Sequence, residues 1–121
     1  MQAGVAVNLS GQLSLRCIMA AKDIGATVVE LHTGRYADLD GDAQSQELER
    51  IRKAAQFGVN LGLRVNAGHG LHEGNVSLIA AIAELSELNI GHAIVAEALF
   101  KGWQKAIMDM KSLIVRGRAK P

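Results

Sequence analysis

The chain has 121 residues, 49% hydrophobic and 21% charged, which is the size and make-up of one globular domain and not of a disordered segment. Thirteen Lys+Arg stand against twelve Asp+Glu, so the net charge of +1 makes no general case for nucleic acid, and aromatics at 3% argue against base-stacking platforms. No apolar run approaches the ~20 residues of a membrane span, Met1 to Ser10 lacks the basic and apolar regions of a signal peptide, and the single Cys17 excludes an internal disulfide and fits a reducing, cytoplasmic setting.

Short apolar runs alternate with amphipathic stretches. Val5 to Leu9 reads as a first strand, ended by Ser10-Gly11. A helix from about Ser14 to Ile24 follows, with Leu15, Ile18 and Met19 on one face and Gly25 as its stop. Thr27 to His32 is β-branched and reads as a second strand. Thr33 to Gly41 reads as a loop, and Asp42 as the cap of a helix carrying Leu48, Ile51, Ala55 and Val59 inward and ending near Gly62.

Leu63 to Ala67 is a third strand, broken by Gly68-His69-Gly70. Asn75 is placed to cap a short helix with Val76, Ile79, Ala80 and Ala83 facing inward. Glu87 to Ile90 is a weak fourth strand, followed by Gly91-His92. One long final helix is expected, with Leu99, Trp103, Ile107, Met110 and Ile114 on one stripe. Its basic tail, Lys111, Arg116, Arg118 and Lys120, suits the negative end of the helix dipole and reads as a solvated face. Alternation of this kind implies a parallel sheet with right-handed crossovers. It fits either a small doubly wound sheet or half of an eight-stranded barrel.

The chemistry-capable residues gather at the ends of the strands. Glu30 and His32 are two apart and share a face of their strand. Asn66 and His69 end the third unit, and Asn89 and His92 flank the end of the fourth. The carboxyl ends of parallel strands are where ligands bind in both architectures. Gly68, Gly70, Gly74 and Gly91 leave backbone N–H groups open, and Gly91-His92 opens a helix whose free N–H groups favour an anion such as phosphate. Tight turns account for the same glycines.

Weaker motifs carry less. Gly68-His69-Gly70 continues to Gly74, one place late for a dinucleotide fingerprint, and no acid ends the following strand. Asp38, Asp40, Asp42 and Glu49 match an EF-hand spacing, but Ala43 stands where the sharp turn needs glycine. His69 and His72 with Glu30 make a poor zinc set, because a glycine-rich turn does not fix two imidazoles. Cys17 lies among Ile18 and Met19 and reads as a buried structural thiol, and Trp103 reads as core.

Four blocks carry a resemblance: Val29-Glu30-Leu31-His32-Thr33-Gly34, then Tyr36-Ala37-Asp38, then Val65-Asn66-Ala67-Gly68-His69-Gly70-Leu71, then Glu87-Leu88-Asn89-Ile90-Gly91-His92-Ala93-Ile94. In order and spacing they resemble the pyridoxine 5′-phosphate synthase family, from about Gly4 to Val115. The resemblance implies an α/β fold: the carboxyl-terminal half, four βα units equivalent to strands five to eight, of a TIM barrel spanning the whole chain. It implies condensation of 3-amino-2-oxopropyl phosphate with 1-deoxy-D-xylulose 5-phosphate, with no metal and no organic cofactor, in a homo-oligomer. His69 then matches the family's proton donor and Glu30 a residue that stabilises the transition state. Gly70, Gly91 and His92 match positions that hold the amino-ketone phosphate. The histidine and glutamate that act as bases in the family's amino-terminal half, and its arginine and histidine contacts to the sugar phosphate, have no counterpart, so this chain alone is expected to be inactive. Two rivals remain: a self-paired half-barrel that binds phosphorylated small molecules without catalysis, and another sugar-phosphate barrel enzyme. The second wants a lysine at a strand end, and none stands there.

Overall fold

Each strand of this chain is followed by helix, as the alternating sequence requires. The computed structural model describes residues 5–9 and 15–119. The order is β1 (Val5–Leu9), α1 (Leu15–Asp23), β2 (Ala26–His32), α2 (Gly34–Asp38), α3 (Gly41–Asn60), β3 (Arg64–Gly68), α4 (Val76–Ala80), β4 (Leu85–Asn89), α5 (His92–Lys101) and α6 (Trp103–Ala119). All three strand pairings are parallel, and the sheet order is β1-β2-β3-β4. A doubly wound sheet reverses its strand order at a switch point. These strands run in sequence without reversal, so crossovers of one hand bring the helices to one face. The arrangement is compatible with part of a TIM-barrel-like fold.

The core lies between that face of the sheet and α1 and α3. Val29 and Leu31 of β2, Val65 and Ala67 of β3, Ile18 of α1 and Ile51 and Ala55 of α3 are all sealed from solvent. Complete burial of a Val, Leu or Ile side chain contributes roughly 1.5–3 kcal/mol. Gly58 is what lets α3 approach. A β-carbon there would stand 2.7 Å from the Val65 side chain and within 4 Å of Ile18 and Val29. Helix α1 ends at Asp23, and Gly25 just beyond it takes φ +90 and donates its N–H to the Lys22 carbonyl, as its place after the last apolar residue predicts.

Several expectations change. The stretch after β2 is not all loop: Thr33 to Asp38 winds into α2, which carries Tyr36 inward to 1% exposure. One helical turn is too short to leave a periodic signal. Asp40, not Asp42, occupies the position before α3, and its side chain makes no cap bond; Asp42 lies in the first turn. Cys17 is exposed, not buried. Helix α1 shows only Ile18 and Ala21 to the core, and Cys17 is turned about 100° from Ile18. Leu15 and Met19 are accordingly half exposed, and Val59 lies on the outer side of α3. Ala83 is exposed and lies beyond α4.

The final helix is two helices. Gly102 takes φ +81 between α5 and α6, and the chain turns there. Ala106 and Met110 are buried, whereas Leu99 and Trp103 are 82% and 59% exposed, so the expected stripe does not run through and Trp103 is not core. Lys101 braces the break: its ammonium bonds Glu73 at 2.6 Å, Asp109 at 2.8 Å and Glu97 at 3.3 Å, and these carboxylates hold it firmly protonated. Further along, Gly117 passes so close to α4 that a β-carbon would meet the Ser77 carbonyl at 2.6 Å.

Arg118, expected to lie in solvent, is a clamp. Its guanidinium donates to the carbonyls of Ile82 at 2.6 Å, Ala83 at 2.9 Å, Leu85 at 2.9 Å and Ala80 at 3.5 Å, tying α6 to the chain between α4 and β4. Replacing Arg118 by Ala is expected to destabilise the fold by about 1–2 kcal/mol, since hydrogen bonds from a charged donor are at stake at a part-exposed place. Arg116→Ala should change little, because Arg116 makes one long bond to its own helix. Urea midpoints of the two variants test this.

Candidate active site

The carboxyl ends of β2, β3 and β4 open on a cleft of about 530 Å³, lined by Glu30, His32, His69, Gly70, Leu71, His72, Asn89, Ile90, Gly91, His92, Ala93 and Ala96. Strand register explains why these residues meet. His32 pairs with Gly68, and Gly68 with Asn89; one layer below, Glu30 pairs with Asn66. Gly68 has no side chain to fill the space between its neighbours. A β-carbon there would stand 2.8 Å from the Asn89 carbonyl and 3.0 Å from Glu30 Oε1. Across it, the Asn89 amide donates to Glu30 Oε2 at 2.8 Å.

Thr33, fully buried, joins the ends of β2 and β3. Its N–H donates to the Gly68 carbonyl at 2.9 Å and its hydroxyl to the His69 carbonyl at 2.7 Å. His69 is thereby held at φ +92, a conformation that costs a side-chain-bearing residue of order 1 kcal/mol or more. Its ring stacks on that of His32, with centroids 4.2 Å apart and planes at 28°. His32 Nδ1 accepts from the Gly34 N–H at 3.2 Å. Burial pushes the His32 imidazole below its ordinary value of 6.5, and the neighbouring His69 adds to this; Glu30 opposes both.

The loop after β3 is held by Asn75. Its Oδ1 accepts from the His72 N–H at 2.8 Å and its amide donates to the Gly70 carbonyl at 3.1 Å. Its own carbonyl accepts the Tyr36 hydroxyl at 2.8 Å. Asn75 does precede α4, as its type predicts, but its side chain does not cap that helix, because both ends of the amide serve the loop. Gly70 takes φ +73 and sits over Ala37, whose β-carbon would lie 2.7 Å from one at Gly70.

Glu30, His69, Gly70, Gly91 and His92, the residues singled out from the sequence, all border this one cleft. Gly91 precedes α5 and His92 opens it, so the first N–H groups of that helix face the cleft's edge. Gly91 has open space where a β-carbon would be and φ −128, so no backbone demand explains it. Asn66 does not line the cleft. It is buried beneath it, and among the described residues its Oδ1 has no hydrogen-bond partner. Among the described residues no three His, Cys, Asp or Glu side chains converge as a metal site. The supports Thr33, Gly34, Tyr36 and Asn75 were not singled out as such, since a buried polar support leaves no periodic mark.

A parallel α/β sheet with a carboxylate, stacked imidazoles and a helix N-terminus around one cleft at its strand ends has the layout of an α/β enzyme site. A family model described as pyridoxal phosphate biosynthesis protein PdxJ matches residues 1–116, and the chain belongs to that family, the pyridoxine 5′-phosphate synthases of vitamin B6 biosynthesis.

The depressed His32 gives a signed pH effect. The unfolded state takes up its proton near pH 6.5 and the folded state only at lower pH, so the stability due to neutral His32 is complete above 6.5 and declines as pH falls below it. Going from about pH 7.5 to about 5.5 should lower the wild-type urea midpoint more than that of His32→Asn. Equal losses in the two proteins would remove His32 as the cause.

Proposed function

We propose that this chain is the carboxyl-terminal half, strands five to eight, of a pyridoxine 5′-phosphate synthase barrel, and that its cleft is the amino-ketone phosphate pocket. The complete enzyme would condense 3-amino-2-oxopropyl phosphate with 1-deoxy-D-xylulose 5-phosphate, giving pyridoxine 5′-phosphate, phosphate and water. One observation supports this above others: Glu30, His69 and the start of α5 share a single cleft.

In this reading the phosphate sits against the Gly91–His92 backbone and Gly70, where N–H groups and the dipole of α5 offset its charge. His92 adds a donor at the same place. The amine condenses with the ketone to an imine, whose positive charge develops near the Glu30 carboxylate. Asn89 keeps that carboxylate turned toward the cleft through its 2.8 Å bond. His69 donates the proton that leaves with water, acting as a general acid. The bases that remove protons belong to the family's other half, so the 121-residue chain is expected to bind the amino-ketone phosphate without turning it over.

The direct test is calorimetric titration of the purified chain with 3-amino-2-oxopropyl phosphate. Saturable binding, weakened about tenfold by His92→Ala, is the expected result; a tenfold loss is about 1.4 kcal/mol. A folded chain that binds nothing would show that the pocket needs other strands. Turnover by this chain with both substrates would overturn the half-enzyme reading.

A further inference from the structure

We propose that His32 is a positioning residue for His69: a ring fixed in its neutral, Nε2–H form by the Gly34 amide, on which the His69 ring is stacked so that the one proton the pair can hold sits on His69. The inference rests on the role proposed for His69 above. His32 has no part in that role as the resemblance describes it.

Geometry assigns the two rings different tasks. His32 Nδ1 already accepts the Gly34 N–H at 3.2 Å. A proton on that nitrogen would set two N–H groups against each other and break the bond. His32 therefore keeps Nδ1 bare and carries its hydrogen on Nε2. Among the described residues no hydrogen bond fixes the His69 ring, but its backbone is tied: Thr33 holds its carbonyl at 2.7 Å and φ at +92. The backbone aims the His69 ring and the His32 ring backs it, at 4.2 Å and 28°.

At that separation two imidazolium charges repel, so the pair is built for one proton. The π face of a neutral ring attracts a cation laid against it, which leaves the proton best placed on His69. Glu30, on the same face of β2 as His32, favours a proton on His32, but burial first and the neighbouring His69 second outweigh it. The other titratable groups around the cleft are His72 from the loop after β3 and His92 at the start of α5. Neither offers a negative charge to stabilise a second proton.

Position 34 has the residue that such a stack requires. A β-carbon on Gly34 would stand 2.5 Å from His32 Cε1 and 2.9 Å from His69 Cδ2. The same residue supplies the N–H that sets the His32 tautomer.

The test is nitrogen NMR of the 121-residue chain labelled in histidine, between about pH 7.5 and about pH 5.5, either side of the ordinary histidine range. The expected result is one proton taken up by the pair, on His69, with His32 Nδ1 bare throughout. In His32→Phe, which keeps a flat ring, the contacts of the His69 ring with Gly34 should persist. In His32→Ala they should be lost while the backbone spectrum stays folded. Two charged rings at the lower pH, a protonated His32 Nδ1, or a His69 ring that loses its place in the Phe variant would each overturn the proposal. The Phe variant decides the matter even if the Ala variant does not fold. This readout needs no substrate, so a chain that shows the one-proton pair yet binds no amino-ketone phosphate shows that the pocket needs other strands and leaves the pairing standing.

Discussion

Thr33 holds the ends of β2 and β3 together, and the geometry of the cleft follows from that junction. Its backbone extends the strand pairing by one more bond, to Gly68, and its hydroxyl reaches the next carbonyl, that of His69. A buried threonine with both polar groups satisfied adds no unpaired polar atom to the interior. It forces the chain after β3 into a left-handed step at His69, and that step turns the ring back over His32.

The two faces of the sheet do different work. Toward α1 and α3 the strands present Val29, Leu31, Val65 and Ala67, all fully buried. The alternate positions of β2 and β3 include Glu30, His32 and Asn66, which no globular core would accept without cause. Glu30 meets Asn89. Asn66 keeps a buried Oδ1 with no partner among the described residues. A face so composed is suited to lining a polar interior, and the unreversed strand order is compatible with such an enclosure. The site thus sits where apolar packing on one side of the sheet supports polar chemistry at its end.

Support for the cleft comes from far along the chain. Tyr36, carried inward by the single turn of α2, bonds the Asn75 carbonyl, and Asn75 in turn holds the loop of Gly70 and His72. Glu73, in that same loop, meets Lys101 at the end of α5. Two separate elements therefore brace one glycine-rich turn, whose own backbone is too free to hold His69 steady. The sequence shows the turn plainly. It does not show the braces, because a hydrogen bond to a distant carbonyl has no spacing to betray it.

The alternating elements, the stops at Gly25 and Gly62, and the gathering of Glu30, His69, Gly70, Gly91 and His92 at strand ends are legible in the residue order. All of these follow from local rules: two- and 3.6-residue periods, the backbone freedom of glycine, and the polarity of strand termini. What faces what was decided only by the fold. The burial of Tyr36, the exposure of Cys17 and Trp103, the break at Gly102, the diversion of Asn75 from cap to staple and the clamp at Arg118 all depend on which surfaces met in space. An amphipathic pattern states that a face is apolar; it cannot state whether another element will cover it. The stacked histidines lie between the two cases. Their residues stand in recognisable blocks 37 positions apart, but only the parallel register of β2 and β3 brings one ring onto the other.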